Sequence, residues 1–294
     1  MIINIKKCII SLLLVLSTYN YLQAQPKILV GACIRQSHEV LKEFLTSLQE
    51  LQNDALEVNY FFIDDNTEQD STNLLYAFMQ ETPARVKVQY ARSNDSYYHC
   101  SEVTHHWSED LVWKVARLKN NIINYALEQQ YDYLFLIDSD ILLHPDTLHH
   151  LVSLKKDIVS EVFWTRWQPD YPELPQVWLY DTYTMYEHAI NEPLTQEEIV
   201  TRQNEFISKL RIPGVYPVGG LGACTLISRN ALKKGVNFSR ISNITFWGED
   251  RHFCVRAAAY DLGLWVDTHY PAYHIYRKSL LEGVAQFKQN NKNY

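Results

Sequence analysis

Apolar residues follow two alternating rhythms along this chain. Short, largely apolar runs at 27–33, 58–63, 86–90 and 133–137 read as strands, the last of them buried on both faces. Between them, apolar side chains recur at helical spacing. They fall at Val40, Leu41, Phe44, Leu45, Leu48 and Leu51 within 38–52, and at Leu74, Leu75 and Phe78 within 70–80. Leu111, Val115, Leu118, Ile122 and Tyr125 mark a longer amphipathic helix. Residues 92–108 are polar, rich in His and Ser, and read as a loop. This alternation predicts an α/β fold with a mostly parallel sheet, right-handed crossovers and flanking helices. From 160 onward the rhythm fades: 163–185 is crowded with Trp, Tyr and Pro without a period, 195–210 and 248–259 read as helices, and 215–228 and 264–267 as strands. No shift in composition divides residues 26–294, which read as a single domain.

The first 25 residues stand apart. Lys6 and Lys7 precede an apolar stretch over 8–16, and Ala24 offers a small residue for cleavage. This is the pattern of a secretory signal peptide or, if retained, a short N-terminal membrane anchor. It predicts a secretory or membrane-tethered location. Asn94 and Asn243 each begin an Asn-X-Ser/Thr glycosylation pattern. A net charge of −7 without any Lys/Arg cluster argues against a nucleic-acid partner. The five cysteines lack C-x-x-C spacing, so no zinc knuckle is implied. Cys33, Cys224 and Cys254 sit in apolar patterns as buried thiols, and Cys100 lies in the polar loop. There is no G-x-G-x-x-G in the first turn, so a dinucleotide site on that fingerprint is unsupported.

The candidate chemistry lies at the ends of the apolar runs. The run at 133–137 stops on Asp138-Ser139-Asp140. Carboxylates at a strand end of an open α/β sheet lie where ligands bind, and two so close call for a cation. Asp64-Asp65 close the second strand, Gly248-Glu249-Asp250 open a helix, and His274 follows the run at 264–267.

In this order and spacing the motifs resemble the nucleotide-sugar glycosyltransferases of the GT-A fold, a Rossmann-like sheet, and in particular the large inverting family 2. The resemblance covers about 27–277. It implies that residues 31–35, including Gly31 and Arg35, pass beneath the nucleotide, and that Asp64 and Asp65 meet the base and ribose. Lys119-Asn120 stands where the family has Arg-Asn near the diphosphate; lysine keeps the charge but loses the bidentate fork. Asp138 and Asp140 match the D-x-D motif that holds a metal against the donor, with His274 completing the metal shell and His269 a nearby competitor. Asp250 is the implied general base, with Glu249 the alternative. Oxygen ligands suit Mg²⁺, and an imidazole tilts the choice to Mn²⁺. The implied reaction moves a sugar from a UDP- or GDP-linked donor to a hydroxyl of a glycan, lipid or protein. Absence of Q-x-x-R-W favours single transfer. Two other readings stay open: a nucleotidyltransferase, and a secreted carbohydrate-binding pseudoenzyme. Trp164, Trp167 and Trp178 read as core or as sugar-stacking surfaces, residues 219–222 as a flexible loop near the acceptor, and His105, His106, His149 and His150 as solvated.

Overall fold

The computed structural model describes residues 25–291, apart from 92–97, 102, 104, 181 and 245–247. The leader up to residue 24, Asn94 and Thr245 therefore lie outside the described residues.

The first half follows the expected alternation: β1 (Lys27–Ile34), α1 (His38–Gln49), β2 (Glu57–Asp64), α2 (Gln69–Glu81) and β3 (Val86–Tyr90). The polar stretch that follows contains a small ribbon, β4 (His99–Cys100) with β5 (His105–His106). Then come α3 (Glu109–Glu128) and β6 (Tyr133–Leu136). Next are β7 (Ile141–Leu142), α4 (Thr147–Ser153), β8 (Ile158–Thr165), β9 (Leu174–Pro175) and β10 (Val177–Trp178). The last part holds α5 (Gln196–Lys209), β11 (Val215–Val218), β12 (Gly220–Leu221), β13 (Thr225–Ser228) and α6 (Arg229–Lys234). It ends with α7 (Glu249–Ala259), β14 (Leu264–His274), a 3₁₀ turn at Lys278–Gly283, and α8 (Val284–Asn291).

The main sheet runs β11-β14-β8-β13-β6-β1-β2-β3, with β7 and β9 pairing off its path. β1, β2, β3 and β6 are mutually parallel, as are β8 and β14. β13 runs antiparallel between β6 and β8, and β11 antiparallel on β14. This is the mixed, mostly parallel sheet that the alternation predicted. Two apolar layers cover its faces. One packs α1 and α4 through Phe44, Leu48, Leu148 and Leu151. The other packs α3, α6 and α7 through Ile122, Ala126, Leu232 and Phe253.

Three differences from the sequence reading bear on the site. Residues 219–222 are not a free loop, because Gly220 and Leu221 pair with Trp178 and Val177 in a two-stranded ribbon. A Cβ at Gly220 would lie 1.9 Å from the Trp178 ring, so only glycine lets the ribbon close. Gly31 is not in a turn beneath a ligand. It lies inside β1 against Leu136, and a Cβ there would stand 2.4 Å from Ile122 Cγ2. Finally, the strand expected at 264–267 continues to His274 past a bulge between Asp267 and Ala272.

Candidate active site

The C-terminal ends of β1, β2 and β6 face α3 and the start of α7, and the predicted acids gather here. Ser108 caps α3, its Oγ accepting from Leu111 N at 3.3 Å. Lys114 lies three residues after Leu111, and Lys119 three before Ile122. Both therefore project inward from a helix whose stripe is otherwise apolar. α7 begins at Gly248, where φ is +127° and a Cβ would stand 2.6 Å from the Tyr183 hydroxyl. This glycine sets Glu249 and Asp250 in the first helical turn, where the helix dipole favours negative charge.

Lys119 joins the two segments. Its Nζ donates to Glu249 Oε1 at 2.8 Å and to Asp250 Oδ1 at 3.2 Å. Burial alone would lower the Lys119 pKa, but Asp250, Glu249 and Asp138 around it hold it well above the usual lysine value. Asp250 responds in the opposite sense: burial pushes it up, Lys119 pulls it down, and Glu249 and Asp138 push it up again, to about 7. Asp138 opens onto solvent at the end of β6, yet the protein crowded round it raises its pKa against the pull of Lys119. Asp138, Lys119 and Asp250 line, together with Gly31, Cys33 and Gly222, a cavity of about 20 Å³, enough for a single water. A nucleotide sugar would need the open surface above it.

Asp140 turns the other way, into the fold. His274 Nε2 lies 3.5 Å from Asp140 Oδ2, and His274 Nδ1 meets Thr165 Oγ1 at 2.8 Å. Burial tends to raise the Asp140 pKa, but His274 outweighs it and holds the carboxyl below its usual range. Asp140 Oδ1 is buried and has no hydrogen-bond partner among the described residues. A buried carboxylate oxygen without a donor is the kind of orphan that a cation satisfies. With Asp138 and the His274 imidazole, the donor set suits Mn²⁺ or Mg²⁺. The three side chains are not drawn together around a point, however. Among the described residues, the group whose ligand atoms all lie within 4.8 Å of one another is His150, Asp267 and His269.

Other predicted residues sit differently from expectation. Asp65 is clasped by Lys114, whose Nζ lies 2.6 and 2.7 Å from its two oxygens, with Arg35 Nη1 at 3.5 Å. Asp64 faces inward and braces its own turn: Oδ1 accepts from Asn66 N and Nδ2 at 3.0 and 2.8 Å, and Oδ2 from Thr72 Oγ1 at 2.9 Å. Both of its oxygens are thus engaged by neighbouring side chains and backbone. Asn120 accepts from Phe238 N at 2.8 Å and donates to Ser239 Oγ at 3.1 Å. Trp178 is buried, and Trp164 is covered by the Arg211 guanidinium 3.3 Å from its ring centre. Trp167 is 41% exposed and packs edge-on against Tyr276, so it is the tryptophan of the three that offers a face to a ligand. His105 is not solvated: it stacks on Tyr276 with centroids 4.1 Å apart, and burial lowers its pKa. His269 and His150 are bound to Asp267, which leaves His274 as the imidazole beside Asp140. The sequence reading missed Lys114 and Thr165. Lysines at inward positions of an amphipathic helix were the available signal for the first.

Residues 25–168 match the family model described as glycosyltransferase family 25, N-terminal domain. A glycosyltransferase 25 family member of Aedes aegypti is 27% identical over 158 residues, covering 50% of this chain and 26% of that protein. Procollagen galactosyltransferase 1-A of Xenopus laevis is 25% identical over 148 residues, covering 48% of this chain and 24% of its own length. The match thus spans about a quarter of the length of these curated relatives. Among solved structures, a mannosyltransferase from Pyrobaculum calidifontis, in complex with GDP-Man and Mn²⁺, superposes with a TM-score of 0.52 at 13% identity, covering 87% of this chain and 59% of that one. TarS of S. aureus, residues 1–349, superposes with a TM-score of 0.50 at 15% identity, covering 84% of this chain and 60% of that one.

Proposed function

We propose that the chain is a GT-A-fold glycosyltransferase whose cleft transfers a sugar from a UDP- or GDP-linked donor to a hydroxyl of a glycan, lipid or protein, with inversion and with Mn²⁺ or Mg²⁺. The observation that carries this reading is Asp250, an acid at a helix start, poised near neutrality and held by Lys119 opposite Asp138. A general base works best with a pKa close to the working pH. Lys119 occupies Asp250 Oδ1, while Oδ2 faces Gly222, where an added Cβ would lie 3.6 Å away. The missing side chain at Gly222 gives an acceptor hydroxyl a path to that oxygen. The base takes the hydroxyl proton as the oxygen attacks the anomeric carbon, and the nucleoside diphosphate leaves from the opposite face.

Asp138, Asp140 and His274 would hold the cation, which when bound offsets the charge gathering on the leaving diphosphate. Asp65, fixed by Lys114 and Arg35, would present a rigid acid to the nucleoside. The Mn²⁺ in the Pyrobaculum mannosyltransferase supports a divalent ion, and the procollagen galactosyltransferase relative supports a protein-linked acceptor. The apolar leader supports delivery to the secretory pathway, cleaved or retained as a tether. No helix of the described residues is long and apolar enough to cross a membrane.

Donor hydrolysis across UDP- and GDP-sugars, with and without Mn²⁺, tests the proposal. Metal-dependent release of nucleoside diphosphate from at least one donor is expected. Silence with every donor, together with retained glycan binding, would instead identify a binding module.

A further inference from the structure

A second cluster lies on the face of the sheet that carries α1 and α4, opposite α3 and α7. His150, on α4, and His269, in the bulge of β14, both direct a ring nitrogen at the same oxygen. His150 Nε2 lies 3.2 Å and His269 Nδ1 2.7 Å from Asp267 Oδ1. The ring centroids are 4.7 Å apart. Asp267 is 0% exposed, and so is Glu161, its partner in the β14–β8 register. Glu161 Oε1 accepts from Tyr270 N at 3.3 Å, whereas Oε2 is buried and meets no donor among the described residues. A fully buried carboxylate such as Asp267 needs a compensating proton or cation.

The chemistry of the donor set favours a cation. Two imidazoles and one carboxylate suit a borderline-soft metal and not Mg²⁺ or Ca²⁺. Metal–nitrogen and metal–oxygen bonds of about 2.0–2.1 Å place neighbouring ligands of a tetrahedron roughly 3.3 Å apart; the three ligand atoms already lie within 4.8 Å of one another, so small side-chain shifts bring them to that spacing. Asp267 is held in place by His269 N, which donates to its Oδ2 at 3.1 Å. His150 and His269 are 24% and 37% exposed, so an ion has a route in and a solvent-facing fourth position.

We propose that His150, Asp267 and His269 form a transition-metal site, selective for Zn²⁺ or Co²⁺, that clips α4 to the bulge of β14. The bulge lies between Asp267 and Ala272, two residues before His274. The site is separate from the cleft acids and does not depend on the reading of them.

The test uses the full chain stripped with EDTA and titrated with Co²⁺, followed by visible absorption. One equivalent should give the strong d–d band of tetrahedral cobalt, displaced by Zn²⁺, and Zn²⁺ at 100-fold excess over its Kd should raise Tm by about 5 °C or more. The band should vanish in His269→Gln and in His150→Gln and persist in Asp138→Ala. Absence of a band in the wild-type chain overturns the proposal without reference to any variant. So does a band that survives both histidine substitutions, or one lost in Asp138→Ala but kept in His269→Gln, which would belong to the cleft.

Discussion

Lys119 Nζ stands 3.2 Å from Asp250 Oδ1, and this contact joins the long helix before β6 to the helix that opens on the acid pair. The same ammonium reaches Glu249 at 2.8 Å. One buried cation thus serves two carboxylates, with Asp138 beside them. It cannot neutralise all of these acids, and Asp250 is left with a pKa near 7. Such an acid is mostly ionised just above neutrality and can still gain a proton, as a base must.

Asp250→Asn should therefore abolish transfer and leave donor binding intact. A loss of about 10²–10⁴ in kcat is the ordinary value of a positioned base. The wild-type pH profile carries the same information. Asp250 acts ionised, so kcat/KM should fall as pH drops through about 7. A carboxylate at its usual value would hold activity down to about pH 4. An acidic limb near 4, or unchanged turnover in Asp250→Asn, would remove Asp250 as the base and turn attention to Glu249.

Lys119→Met separates stability from chemistry. Its side chain is 7% exposed, and its removal leaves Glu249 and Asp250 without a counter-charge. Breaking one side of a buried pair costs about 3 kcal/mol or more, readable as a lower midpoint in urea unfolding. The acidic limb should also move to higher pH, because Lys119 is what restrains the Asp250 pKa. A limb that stays in place would show that the lysine does not govern this acid.

The first half of the fold was legible because buried parallel strands such as β1 and β6 are largely apolar runs, and their crossover helices each show one stripe. β8 was not, although it lies near the middle of the sheet. Its sequence holds Ser160 and Glu161 where an apolar run is expected, and both are fully buried. A charge inside a strand reads as a break unless its partner is visible, and the partner of Glu161 is Asp267, more than a hundred residues away. The acids at strand ends were readable for the same reason the strands were: an abrupt switch from apolar to Asp. Which way each acid turns was not. Asp64 and Asp65 are neighbours in sequence, yet the first braces a turn and the second faces Lys114. Likewise His269 competed with His274, the candidate metal ligand, in the sequence, and the bulge in β14 sends the two to different acids.

Asp138→Ala and Asp140→Ala should both weaken metal-dependent donor binding, for different reasons. Asp138 faces the cleft, and its loss should raise the Kd for UDP or GDP in the presence of Mn²⁺ while barely changing Tm. Asp140 is buried beside His274, and its loss leaves that imidazole without its carboxylate. This variant should lose Mn²⁺-dependent binding and also unfold at lower denaturant, by about 1–3 kcal/mol. Calorimetric titration of nucleotide with and without Mn²⁺ decides. Equal nucleotide affinity in wild type and both variants would take the cation away from these acids.

Gly31→Ala distinguishes packing from ligand contact at a position the family resemblance assigns to the nucleotide. The new Cβ would meet Ile122 Cγ2 at 2.4 Å, on a side chain that is itself fully buried in the α3 layer. Overpacking of this kind costs about 1–3 kcal/mol. Shortening the neighbour should relieve it: Gly31→Ala with Ile122→Ala is expected to be less destabilised than the sum of the two single changes, by at least about 1 kcal/mol in a double-mutant cycle. In that double variant the KM for donor should stay within about twofold of the Ile122→Ala value, because the methyl group is absorbed by α3 before it reaches the cleft. A donor KM that rises sharply while the stability cycle shows no coupling would put the nucleotide, and not Ile122, against Gly31.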